Sequence, residues 1–87
     1  MKPEQEPKYD VNADGRIFNR ATGQVIPDDE PVFIFRARDR HAIKALKYYA
    51  NVCTDDDHVA VVERRVDDFR AFRKMHPDRM KEPDSPA

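Results

Sequence analysis

Gly23-Gln-Val-Ile-Pro-Asp-Asp-Glu-Pro-Val-Phe-Ile-Phe-Arg-Ala-Arg-Asp39 carries the most apolar run of a strongly charged sequence. Within it Val32, Phe33, Ile34 and Phe35 are β-branched or aromatic, with Pro31 before them and Arg36 after, which predicts a strand over residues 32–36. Alternation along a strand sends Val32 and Ile34 to one face and Phe33 and Phe35 to the other, so both faces are apolar and the strand is expected at the centre of its sheet. Two helices cover only one of those faces. The other is expected either to lie beneath the segment around Tyr9 and Val11 or to serve self-association or a partner.

Upstream, Pro27-Asp-Asp-Glu-Pro31 makes a rigid acidic corner, since both prolines fix φ and neither donates to a ladder. Asp14-Gly15 is a turn pair. In Asn19-Arg-Ala-Thr-Gly23, a glycine at positive φ closes a four-residue loop between Ile17-Phe18 and Val25-Ile26, predicting an antiparallel hairpin. Downstream, Asp39 is suited to cap a helix through Val52 or Cys53, because its carboxylate accepts the first free amide protons. At about 100° per residue, Ala42, Ala45, Leu46, Tyr49, Val52 and Cys53 share a face, with Ile43 and Ala50 on its flank and Arg40, Lys44, Lys47 and Asn51 opposite. Thr54-Asp-Asp-Asp57 has capping-box spacing with Thr54 at the cap, so a second helix starts there. Val59, Val62, Val66, Phe69 and Phe72 trace its stripe, and His76 before Pro77 marks its end. The short connection makes the two helices an antiparallel hairpin. Arg65 and Arg73 fall inside the apolar arc of the second helix, where each either snorkels along the stripe or meets a partner.

The pattern predicts an α+β fold: a small antiparallel β-sheet of about three strands packed against an antiparallel helical hairpin. Residues 9–76 are expected to form one compact domain between disordered tails at 1–8 and 77–87, because both ends are rich in proline and charge and poor in apolar residues. Sixteen Lys and Arg against seventeen Asp and Glu leave a formal charge of −1, which removes the simplest argument for a dedicated nucleic-acid binder. Cys53 stands alone, so no internal disulfide framework exists, and neither a signal peptide nor an apolar run near twenty residues is evident. A cytoplasmic protein is expected.

Asp10-Val-Asn-Ala-Asp-Gly-Arg-Ile17 matches the first eight positions of an EF-hand calcium loop, with Asp10, Asn12 and Asp14 as alternate oxygen ligands. The match fails at the twelfth position, where Ala21 replaces the bidentate carboxylate, and the flanks read as a hairpin instead of two helices. An Asp-Gly turn is the preferred reading, and neither a cofactor nor a resident metal is expected. Cys53, Asp57 and His58 lie close in sequence, and His41 and His76 are further zinc-type ligands, but none of them has a recognisable catalytic or metal spacing. Asp55, Asp56 and Asp57 suit helix capping better than a hard cation. Arg36, Arg38, Arg40, Lys44 and Lys47 form the one local basic concentration, an alternative surface for nucleic acid or phosphate.

Gly15-Arg-Ile, Thr22-Gly, Ile26-Pro-Asp-Asp-Glu-Pro-Val-Phe-Ile-Phe-Arg-Ala-Arg-Asp39 and His76-Pro together resemble a group of small bacteriophage and prophage accessory proteins. The resemblance implies a cytosolic protein of an infected or lysogenic bacterium that binds and modulates a host or defence component, and it carries no catalytic residues across. The expected function is therefore a non-catalytic protein–protein interaction module, with self-association as one form of that contact and no membrane involved. Its candidate surface combines Phe33 or Phe35 with Arg65 and Arg73, or sets Asp28, Asp29 and Glu30 against a basic partner.

Overall fold

Gly15 and Gly23 are the turn-makers in the computed structural model, which describes residues 1–83: both have positive φ, at 80° and 75°. Around Gly15 the chain reverses between strands β1 (Tyr9–Val11) and β2 (Ile17–Asn19), which pair antiparallel with Asp10 opposite Phe18. Asn12 fixes that reversal. Its Oδ1 accepts from the N–H groups of Asp14 and Arg16 at 2.9 and 3.0 Å, the local side-chain turn for which asparagine is favoured. The segment around Tyr9 and Val11 thus enters the sheet as a strand.

Gly23 also makes its expected turn, its N–H donating to the Asn19 carbonyl at 2.8 Å. The strand expected beyond it does not develop. Phe18 and Val25 form a single antiparallel bridge, supported by Ile26 N–H to the Ile17 carbonyl at 2.8 Å. Pro27 follows at once and has no N–H to extend the ladder.

The predicted central strand at 32–36 requires correction. No strand forms there, and the sheet has two strands. A turn closes before the run, with Glu30 N–H on the Pro27 carbonyl at 3.1 Å, and another opens after it, with Asp39 N–H on the Arg36 carbonyl at 3.0 Å. Apolar content favoured a strand, but Pro31 withholds one donor at its start and the flanking turns leave only a short stretch to pair. Val32, Phe33 and Ile34 are 50%, 81% and 73% exposed.

By packing, the chain divides into two units, Met1–Phe33 and Ile34–Ala87. The second contains helices α1 (Ala42–Val52) and α2 (Asp56–Met75), which pack against each other. The α+β class therefore takes the form of a two-stranded antiparallel hairpin plus two contacting helices. Ala42, Ile43, Val66 and Phe69 form the buried cluster, flanked by Ala37 and Leu46. Ala50 and Val62 are buried as well. The α1 face turned inward is thus Ile43, Leu46 and Ala50, at spacings of three and four. Tyr49 and Val52, expected on the core face, are 47% and 56% exposed. One neighbouring helix covers only a narrow stripe, so the edge of the wide predicted face stays largely exposed, with the Tyr49 hydroxyl meeting His58 of α2.

Capping also differs by small steps. Asp39 accepts the His41 N–H at 2.8 Å and bends the chain before the helix instead of capping it. At α2 the cap is Asp55, not Thr54: its carboxylate accepts from the Asp57 and His58 N–H groups at 2.9 and 3.2 Å. A carboxylate satisfies the amides and meets the helix dipole together, an advantage the threonine hydroxyl lacks. Pro77 ends α2 as expected, but a 3₁₀ helix, Pro77–Arg79, follows it, and Lys81 makes a parallel bridge with Asp39. The expected disordered tail 77–87 therefore starts as hydrogen-bonded structure, and its positions 84–87 lie outside the described residues.

Phe69→Ala is expected to lower unfolding free energy by about 3 kcal/mol or more, read by denaturant titration of the full chain. Asp55→Ala is expected to cost about 1 kcal/mol while Thr54→Ala changes stability by less than about 0.5 kcal/mol. A larger loss at Thr54 would return the cap to that residue.

Candidate functional site

The EF-hand-like loop is closed by protein groups. Asp10 Oδ1 accepts from the Met1 ammonium at 2.7 Å and from the Val11 N–H at 2.7 Å, while its Oδ2 lies 3.2 Å from Arg20 Nη1. Asn12 Oδ1 is committed to the turn, and Asp14 is exposed. Those contacts hold the Asp10 carboxyl below its usual range, the ammonium hydrogen bond first and the Val11 N–H next, with Arg20 adding to them. Among the described residues no group of three or more His, Cys, Asp or Glu gathers to hold a metal.

Arg20 is the residue that sequence reasoning passed over. Its Nε donates to the carbonyls of Glu6 and Tyr9, both at 3.1 Å, and its Nη2 to the Met1 carbonyl at 2.7 Å. With Asp10, one guanidinium ties residues 1–10 to β2, so residues 1–8 are hydrogen-bonded where a tail was expected. Only the position of Arg20, next to a strand and one residue into a loop, hinted at this.

The acidic corner stands in water. Asp28 pairs with Arg16 at 3.0 Å, while Asp29 and Glu30 are exposed. Phe33 is the most exposed large apolar side chain of the described residues, and Phe35 is 37% exposed. The proposed companions of these rings fall into different settings. Arg65 lies along its own helix, paired with Asp68 at 3.0 Å and with its guanidinium 5.7 Å from the Phe69 ring centroid. Arg73 instead faces a cleft of about 350 Å³ that it lines with Arg40, Pro77 and Met80.

Of the basic stretch, Arg36, Arg40, Lys44 and Lys47 are exposed and Arg38 is half-buried. The backbone there is fixed, since Arg40 N–H donates to the Lys81 carbonyl and Lys81 N–H to the Arg38 carbonyl at 3.1 and 2.9 Å. The histidines are engaged elsewhere. His58 Nε2 is hydrogen-bonded with the Tyr49 hydroxyl at 3.0 Å, His41 Nε2 with Glu82 at 2.6 Å, and His76 packs on Phe72 with ring centroids 5.0 Å apart. Cys53 is a half-buried free thiol. Among the described residues no helix is long and apolar enough to cross a membrane.

With this geometry in hand, comparison with protein-family models, curated proteins and solved structures finds no match.

The depressed Asp10 carboxyl has a signed consequence. Its stabilising contribution is fully present above the ordinary carboxylate value and is lost as pH falls through the lower, folded-state value. Carboxyl NMR titration is expected to show Asp10 titrating below the ordinary aspartate value, and Arg20→Ala to move it upward. An unchanged Asp10 titration in that variant would remove Arg20 from the set of causes.

Proposed function

We propose that the protein is a non-catalytic binding module that docks another protein through the apolar run at residues 32–35, acting in the bacterial cytoplasm as a phage or prophage accessory protein. The single observation behind this reading is the exposure of Val32, Phe33 and Ile34, 50% or more each, in a protein whose buried side chains are few. A contiguous exposed apolar run rimmed by charge is the usual mark of a protein-binding surface. Here Asp28, Asp29 and Glu30 precede it and Arg36 and Arg38 follow it. The residue types favour extended backbone, which suits docking onto the sheet edge of a partner, with alternate side chains supplying specificity. Opposite charges at the two ends set the orientation of that partner.

The test is a pull-down of the tagged full chain from bacterial lysate, with and without nuclease, repeated with Phe33→Ser. One nuclease-resistant protein at near-stoichiometric yield is expected. Phe33→Ser is expected to weaken its binding by about 2 kcal/mol, roughly thirtyfold, with helical circular dichroism retained. Recovery that depends on nucleic acid, or equal binding by Phe33→Ser, would overturn the proposal and favour the basic stretch Arg36, Arg38, Arg40, Lys44 and Lys47, whose signature is a steep loss of affinity with salt.

A further inference from the structure

Arg40 and Arg73 are thirty-three positions apart in sequence and line one cleft in the second unit, together with Pro77 and Met80. Among the described residues no carboxylate pairs with either guanidinium. Arg73, in the last turn of α2, makes no hydrogen bond or ion pair among the described residues. Among the described residues, Arg40 Nη2 donates to the Met80 carbonyl at 3.4 Å. Among the described residues no carboxylate lines the cleft; Glu82 is hydrogen-bonded with the His41 ring at 2.6 Å, and Asp39 accepts the His41 N–H at 2.8 Å. Asp78 does not line the cleft.

The frame of the cleft is fixed by main-chain bonds. His76 N–H bonds to the Phe72 carbonyl at 2.8 Å, Arg79 N–H to His76 at 3.0 Å, and Arg40 N–H to Lys81 at 3.1 Å. The Arg79 guanidinium lies over the Phe72 ring, 4.8 Å from its centroid, which holds a third cation on the same segment. The main chain carrying these side chains is thus set before any ligand arrives.

We propose that this cleft binds a phosphomonoester, with Arg40 and Arg73 as the two forks that hold its dianion and Pro77 and Met80 as the apolar floor for the attached group. Planar guanidinium groups match phosphate and carboxylate oxygens in pairs. Both line one cleft, and two positive charges are balanced by one phosphomonoester dianion but not by one carboxylate. The proposal stands apart from docking at residues 32–35, since it uses other residues and a different force.

The test is backbone-amide NMR of the full chain titrated with phenyl phosphate, with benzoate as the singly charged control. Saturable shifts centred on Asp78, Arg79, Met80 and Lys81 are expected, with a dissociation constant below about 1 mM. Benzoate is expected to bind at least about tenfold more weakly, and Arg40→Gln and Arg73→Gln each to weaken phenyl phosphate about tenfold, without loss of helical circular dichroism. A phosphotyrosine peptide and a 5′-phosphorylated oligothymidine, each against its unphosphorylated form, then assign the source of the phosphate. Absence of saturable shifts, equal affinity for benzoate, or wild-type affinity in both variants would overturn the site.

Discussion

Six buried apolar side chains, Ala42, Ile43, Ala50, Val62, Val66 and Phe69, constitute the core of the described residues, and every one of them lies on α1 or α2. That shortage of buried surface is the constraint from which the other features follow. Small α1 residues let the second helix approach closely, so Val66 and Phe69 reach Ala42 and Ile43 with little side chain between the backbones. The same closeness restricts the contact to a stripe, leaving Tyr48 and Val52 exposed, while Tyr49 reaches the edge of α2 through its hydrogen bond with His58. A carboxylate cap at Asp55 and the cations Arg73 and Lys74 in the last turn then add to α2 what a larger core would otherwise supply.

The unit Met1–Phe33 has no buried apolar side chain, so polar geometry holds it. Arg20 contributes more contacts than any other side chain there, gathering carbonyls of Met1, Glu6 and Tyr9 and the carboxylate of Asp10 around one planar group. Hydrogen bonds to a charged donor are worth more than neutral ones, and a half-buried guanidinium with several acceptors loses little on leaving water. Asn12 and Asn19 do the corresponding work in the turns, each accepting two backbone N–H groups. This division accounts for the hydrogen bonds that residues 1–8 make without apolar content: several of them come from position 20.

Which parts were legible in the sequence follows from the range of the interactions. Local rules worked where the physics is local: the two turn glycines, the alanine-rich first helix, the stripe of Val62, Val66 and Phe69, and the stop at Pro77 all depend on residues within a few positions. Tertiary choices were hidden. Nothing in the composition of residues 32–36 distinguishes a paired strand from an exposed extended run, because the outcome depends on whether a partner strand is in reach. Nothing near Arg20 announces carbonyls eleven to nineteen positions away. For the candidate sites, Phe33, Phe35 and Arg73 were named from pattern, whereas the meeting of Arg73 with Arg40 requires the return of the chain through Pro77 and Met80, which no periodicity encodes.

The exposed run is costly in a protein of this size. Burying a side chain such as Ile34 or Phe33 contributes about 1.5 to 3 kcal/mol, and whole domains are stable by only about 5 to 15 kcal/mol. Leaving Val32, Phe33 and Ile34 largely in water therefore forgoes an amount comparable to the net stability of the fold. Arg40 and Arg73 make a second exposed feature of the opposite chemical kind, two cations at one cleft that no carboxylate of the described residues lines. Hydrophobic association is little weakened by salt, while the attraction of an anion to paired guanidinium groups falls as ionic strength rises. The two proposed surfaces would thus respond to different conditions, the docking contact persisting through changes in salt that release the anion.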